Sequence, residues 1–379
     1  MRSKLLQPGR HFLYLVDGTG LNAGKSRALD CYSNVYNLNI YVETHNINNE
    51  ANIAFYFSGV ASASTSTLGS RAAGIGLNDL IQQVYVNICS NFNGGDEESI
   101  PDKLYLFGFS RGAFVVQSVC RLIDEYGLLH ADRINLFNEL YRHWLGEDKT
   151  LDKEAFTEDN CWNAVSLEFV GLFDSVFGVY NEDRNSPLLR PAADKDRQLP
   201  AVIKTAAHLL SIDEGRRYFA PYLWKGISKP GQTLLQIWMP GNHSDVGGGY
   251  SEDLLSAIAL RRMLELVANN TSLKLDRDRV PDLDALIRRD CVQDNKRHIH
   301  DERFSAVRKL RPMPRRHRSE FISKEHLLDP SAVFLNRKFV IRGRKRTQYL
   351  LPNDWLSLPV LETLPATSDG SHEVPARIS

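Results

Sequence analysis

Cysteine is scarce and unorganised: five among 379 residues (Cys31, Cys89, Cys120, Cys161 and Cys291), an odd number with no CxxC and no Cys/His zinc spacing. Neither a disulfide scaffold nor a structural metal is indicated, and a reducing compartment fits this usage. Net charge is lacking too. Lys plus Arg and Asp plus Glu both number 46, so no global field concentrates the chain on nucleic acid or an anionic membrane. A long apolar run is missing near the start, where Phe12–Val16 is broken by Asp17. That run is too short for a signal-peptide core or a spanning helix. The expectation is synthesis in the cytoplasm without a signal peptide, any export being left to a dedicated machine.

What is present suits a packed core. Apolar residues make up 42% and charged residues 24% of the chain, an ordinary globular balance. Short apolar runs at 12–16 (FLYLV), 53–57 (IAFYF), 103–107 (KLYLF), 167–173 (LEFVGLF) and 234–239 (LLQIWM) read as buried strands. Between them, Leu77, Leu80, Ile81, Val84, Tyr85 and Ile88 recur at helical spacing, and Ala113–Ile123 reads as a second helix. Residues 132–145 put Ile134, Phe137, Tyr141 and Trp144 on one stripe, for core packing or for a lid over an apolar pocket. The run from 201 to 217, which contains His208, reads as helical. Strands alternating with helices predict a mostly parallel sheet covered on both faces. The expected division is a catalytic core over 1–270 and a basic extension over 271–379 packed on it. That extension carries the runs 309–318 (KLRPMPRRHR) and 342–346 (RGRKR), which suit contact with phosphates.

Gly108-Phe109-Ser110-Arg111-Gly112 is G-x-S-x-G in its informative context, after an apolar strand and before a helix. A Cβ at Gly108 or Gly112 would crowd the sharp turn that lifts the Ser110 hydroxyl above the strand ends. A serine hydroxyl needs a base, and the base needs a third group to fix its tautomer. In this arrangement the partners follow in the order Ser, acid, His, each after a later strand. Asp174 and His243 occupy those places. Asp245, two residues past His243, is the rival acid or a brace for its glycine-rich loop. An oxyanion hole calls for two N–H donors, one from Arg111 and one from the loop after the first strand, at Gly18 or Thr19. Asp17 either braces that loop or helps hold a cation. The sequence DGTGLNAGKS over 17–26 imitates a phosphate loop, but the motif's first glycine would fall on Thr19, so nucleotide binding is set aside.

Several further segments stand in order with these. They are Asp17-Gly18-Thr19, YFSGV at 56–60, GIGL at 74–77, LYLFGFSRGAF at 104–114, GLFDSVFG at 171–178, IDEGRRYFAPYLW at 212–224 and WMPGNHSDVGGGY at 238–250. In this set the chain resembles the α/β-hydrolase domain of type VI secretion phospholipase effectors over nearly residues 10–265. The resemblance implies a triad of Ser110, Asp174 and His243, with Asp245 as a further characteristic acid. It implies hydrolysis of glycerophospholipid esters and toxicity after delivery into a competitor's periplasm; the serine chemistry calls for no metal or organic cofactor, and the alternatives are a cytosolic esterase or thioesterase on a soluble substrate and an inactive hydrolase fold used as a binding module. An immunity protein, a secretion-apparatus component and peripheral membrane contact belong to that expectation; nucleic acid does not. The cluster Asp213-Glu214-x-Arg216-Arg217 is expected to form surface pairs on a helix, with no catalytic part.

Overall fold

Seven strands make one sheet: β1 (His11–Val16), β2 (Asn52–Phe57), β3 (Lys103–Phe109), β4 (Leu167–Phe173), β5 (Ile203–Ser211), β6 (Thr233–Met239) and β7 (Leu327–Leu328). Their order across the sheet is β2-β1-β3-β4-β5-β6-β7, with every neighbouring pair parallel. The protein is described by a computed structural model over residues 7–23, 32–60, 71–177, 197–301, 317–343 and 345–362, excepting the side chains of 71–75 and 218. Cys31, the Gly24-Lys25-Ser26 end of the phosphate-loop imitation and most of the 309–318 basic run lie outside those residues.

Parallel strands need crossovers, and the crossover helices cover both faces. α1 (Asn34–Tyr41) and α2 (Arg71–Asn91) flank β2, and α3 (Arg111–Tyr126) follows β3. The Ser33 hydroxyl caps α1 by accepting from the Tyr36 N–H at 3.2 Å. Side chains alternate across each strand. On β1, Phe12, Tyr14 and Val16 pack with Leu80, Ile81 and Val84 of α2 and Phe114 and Val119 of α3. Leu13 and Leu15 point the other way, into a cluster with Val35 and Leu38 of α1 and Leu260 and Met263 of the long helix Leu254–Asn270. The α/β class expected from the alternation is the one observed. No helix of the described residues is long and apolar enough to cross a membrane.

The segment over 203–211 corrects the sequence reading: it is β5, a strand rather than a helix. β5 lies between β4 and β6, and eight of its nine residues are buried. A strand covered on both faces shows no polar alternation, and its Ala and Leu content imitates a helix.

The chain beyond 270 returns to the sheet edge. β7 pairs with β6 through Leu328 and Trp238, and Trp238 meets Trp355 edge-on with ring centroids 6.0 Å apart. Leu328, Leu335, Val340, Tyr349 and Trp355 share a buried cluster with Leu210, Trp238 and Leu255. A cavity of about 880 Å³ lies along the outer side of β6, lined by Trp224, Thr233, Gln236, Phe321 and His326 among others. Ser110, Asp174 and His243 do not line it.

Candidate active site

Three carboxyl ends of the sheet deliver the predicted residues. Ser110 follows β3, Asp174 follows β4 and His243 opens a short helix, α4 (His243–Gly247), just past β6.

Ser110 sits at φ 58° and ψ −125°, a conformation side-chain-bearing residues rarely adopt. Such a residue costs on the order of 1–3 kcal/mol and persists only where its surroundings enforce it. Here the Ser110 N–H donates to Phe173 O at 3.1 Å, and its carbonyl accepts from Phe114 N–H and Val176 N–H, both at 3.3 Å. Glycine flanks are required on both sides. A Cβ on Gly108 would fall 2.5 Å from Ala113 Cα, and one on Gly112 would fall 2.4 Å from the carbonyl oxygens of Val16 and Asp17. The crowding expected from the pentapeptide is therefore present atom by atom.

His243 Nε2 lies 2.8 Å from Ser110 Oγ, and His243 Nδ1 lies 2.7 Å from Asp174 Oδ2. With Nδ1–H donating to the carboxylate, Nε2 is left to accept from the Ser110 hydroxyl. Asp174 is fully buried and His243 is 4% exposed, while Ser110 retains 7%. Burial pushes the Asp174 carboxyl up, but the Arg318 guanidinium and His243 outweigh it and hold the group well below the usual carboxylate range. Burial drives the His243 imidazole below its ordinary value, against the opposing pull of Asp174. Phe109 packs tilted on the imidazole at 4.7 Å between centroids, and Phe219 meets it edge-on at 4.9 Å.

The alternative acid faces elsewhere. Asp245 Oδ2 accepts from Asn242 N–H at 2.9 Å, while Asn242 Oδ1 accepts from Asp245 N–H at 2.9 Å, closing a capping box on α4. Its carboxylate also takes His300 Nδ1 at 2.6 Å and His300 N–H at 3.0 Å. Asp245 thus braces the loop that carries His243 and makes its side-chain bonds away from the imidazole.

Asp17 braces the first loop in the same manner, accepting from Gly18 N–H at 2.7 Å, the Ser33 hydroxyl at 2.8 Å and the Tyr56 hydroxyl at 2.7 Å. Gly18 lies against Ser110, since a Cβ on it would come within 3.2 Å of Ser110 Cβ. Its N–H is committed to Asp17. Thr19 Oγ1 is buried without a hydrogen-bond partner among the described residues. Arg111 opens α3 directly after Ser110, in the first turn of a helix whose N–H groups have no intrahelical acceptor. Among the described residues no group of three His, Cys, Asp or Glu side chains is placed to hold a metal ion.

Two features escaped the sequence. Glu214 and Arg216 belong to no helix and are not surface residues: their pair is buried, 2.7 Å between Arg216 Nη2 and Glu214 Oε2, with side-chain exposures of 8% and 2%. Arg216 lies over the Phe219 ring at 3.5 Å, and Glu214 Oε2 accepts from His243 N–H at 3.4 Å. Arg318, from the basic run, reaches the Asp174 carboxylate with both terminal nitrogens. His208 lies in the core on β5, accepts from Ser175 N–H at 2.9 Å and is held neutral by burial, which lowers it to about 3.

Residues 10–266 match the family described as type VI secretion system, phospholipase effector Tle1-like, catalytic domain. The chain belongs to this family. It is 26% identical over 234 residues to an uncharacterized protein of Saccharomyces cerevisiae, the aligned part being 56% of this chain and 32% of the yeast protein. Among solved structures, an uncharacterized protein from Pseudomonas aeruginosa is similar at 20% identity, with a TM-score of 0.44, 76% of this chain and 49% of that one covered. The Tle1 effector bound to the VgrG spike of the type VI secretion system is similar at 18% identity, with a TM-score of 0.36, 65% of this chain and 52% of that one covered. This phospholipase-effector domain therefore spans about a third of the yeast relative and about half of each solved chain.

Proposed function

We propose that the chain is a serine esterase of the phospholipase A type, acting through Ser110, His243 and Asp174. The observation that carries the reading is the unbroken relay of short hydrogen bonds, 2.8 Å from Ser110 Oγ to His243 Nε2 and 2.7 Å from His243 Nδ1 to Asp174. His243 Nε2 takes the hydroxyl proton as Ser110 Oγ attacks the ester carbonyl of a glycerophospholipid. The oxyanion is received by the N–H of Arg111 and a donor from Thr19, because the Gly18 N–H is already committed to Asp17. Collapse breaks the acyl–oxygen bond, and the proton held on His243 passes to the leaving lysophospholipid alkoxide. Water then gives its proton to His243 and its oxygen to the acyl-enzyme, releasing the fatty acid and restoring Ser110. The scheme uses no metal or organic cofactor.

The family's description supports delivery by a type VI apparatus, and we propose the periplasm of a competing cell as the destination, with a component of that apparatus and an immunity protein as partners. We further propose that 1–270 is the catalytic core and 271–379 an extension packed on it, on the strength of the β6–β7 pairing and the cluster around Trp238. Mass spectrometry of products from mixed phospholipid micelles, wild type beside Ser110→Ala, tests the reading. Fatty acid and lysophospholipid from the wild type alone are expected. Turnover confined to short-chain soluble esters would move the substrate away from lipid while keeping the chemistry.

A further inference from the structure

Arg318 closes the basic run 309–318. It is 2% exposed. Its guanidinium spans the Asp174 carboxylate, Nη1 on Oδ1 and Nη2 on Oδ2, the latter at 3.0 Å. The same two nitrogens donate to Ser211 O at 3.2 Å and Phe219 O at 2.6 Å. Ser211 adds its N–H to Oδ1 at 3.0 Å and its hydroxyl to Oδ2 at 2.9 Å. A buried carboxylate is tolerable only when paired and hydrogen-bonded, and a planar fork matches two carboxylate oxygens in a way that a lysine ammonium does not. The residue comes from beyond position 266, where the family match ends. The C-terminal third therefore places a charged group directly against the acid.

We propose that Arg318 is a positioning residue of this site, its fork locking the Asp174 carboxylate in the orientation that receives His243 Nδ1–H. The inference rests on the reading of Ser110, His243 and Asp174 given above. With the carboxylate plane fixed at four points by Arg318 and Ser211, Oδ2 has little freedom to turn from the imidazole. The cation also balances the charge of Asp174, so that a proton on the Asp174–His243 pair is less favoured. Among the described residues, the other charged or titratable groups acting on the pair are the Glu214–Arg216 ion pair, which is internally balanced, and His208, which burial keeps neutral. Loss of Arg318 therefore leaves an uncompensated negative charge, and the pair takes up its proton at higher pH.

Full-length wild type, Arg318→Lys, Arg318→Met and Ser110→Ala are compared by kcat and KM across pH, by thermal melting, and by the proton resonance of the His243 Nδ1–H. The expected result is a fall in kcat of at least about tenfold for Arg318→Met with KM little changed, an acid limb moved to higher pH, and partial recovery of kcat in Arg318→Lys. The downfield Nδ1–H resonance weakens in the same order. If Arg318→Met does not fold, Arg318→Lys, which keeps the charge and loses the fork, carries the test through reduced kcat at near wild-type melting. Folded variants with wild-type kcat, acid limb and Nδ1–H resonance would overturn the proposal, as would a kcat loss matched only by a loss of folded protein. A wild type that neither turns over esters nor differs from Ser110→Ala defeats the esterase reading instead, and the Nδ1–H resonance still decides whether Arg318 positions the acid.

Discussion

At the scale of single residues, burial and charged neighbours together set the state each group holds. His243 serves as a base only when neutral, and burial lowers its pKa below the ordinary 6.5. The acid limb of kcat/KM is therefore expected to be centred below the ordinary histidine value. A pH–rate profile checks this, and an acid limb centred at 7 or above would contradict the account. The two candidate acids separate by substitution. Asp174→Asn removes the acceptor that holds Nδ1–H and is expected to lower kcat by a factor on the order of 10⁴. Asp245→Asn breaks the α4 capping box and the His300 contact, so it should cost about 1–3 kcal/mol of stability with a much smaller loss of kcat in the folded fraction. Denaturant melts beside turnover assays distinguish the pair, and a reversed ranking would make Asp245 the acid. The meeting of Ser110, Asp174 and His243 at one end of the sheet was legible because each follows an apolar strand, and glycine spacing marked the turns. Arg318 was not, since nothing in Arg315-Arg316-His317-Arg318 marks Arg318 as a cation that turns inward.

At the scale of elements, the sharp turn between β3 and α3 is held by contact between backbones. Gly112→Ala would drive a Cβ onto the Val16 and Asp17 carbonyls, neither of which is a flexible side-chain end. A loss of about 1–3 kcal/mol or more is expected, together with loss of turnover as Ser110 shifts from His243; an unchanged melting temperature would show that the turn yields. The strands on either side were readable in the sequence as short aromatic and β-branched runs bounded by glycine or charge. β5 was not, because a central strand hidden on both faces carries no alternation, and Ala206, Ala207, Leu209 and Leu210 speak for a helix. The same misreading placed Glu214 and Arg216 on a helix surface, when the strand's exit carries them under Phe219 and against His243.

At the scale of the whole molecule, the basic C-terminal third is tied to the core by apolar packing and by ion pairs. Arg262 Nε meets Asp329 at 2.7 Å, Arg342 meets Asp213 at 2.7 Å, and Asp213 also accepts from Gly241 N–H beside the His243 loop. The packing of the extension was expected, but not its ion pairs, since the runs rich in arginine read as sites for phosphate contact until their carboxylate partners are known. Trp355 is 3% exposed against Trp238 on the edge of the sheet. Trp355→Ala should cost about 3–5 kcal/mol and, if the extension and core melt as one unit, shift a single unfolding transition to lower denaturant. Two separate transitions, with activity surviving the first, would show instead that the extension stands apart from the catalytic core.

The central claim is that Ser110 Oγ is a nucleophile activated by His243. Intact-protein and peptide mass spectrometry after treatment with a fluorophosphonate tests it most directly, with wild type, Ser110→Ala and His243→Ala side by side. One adduct on Ser110 in the wild type, none in Ser110→Ala and a greatly slowed reaction in His243→Ala are predicted. An adduct elsewhere in the folded wild type, or undiminished labelling without His243, would contradict it.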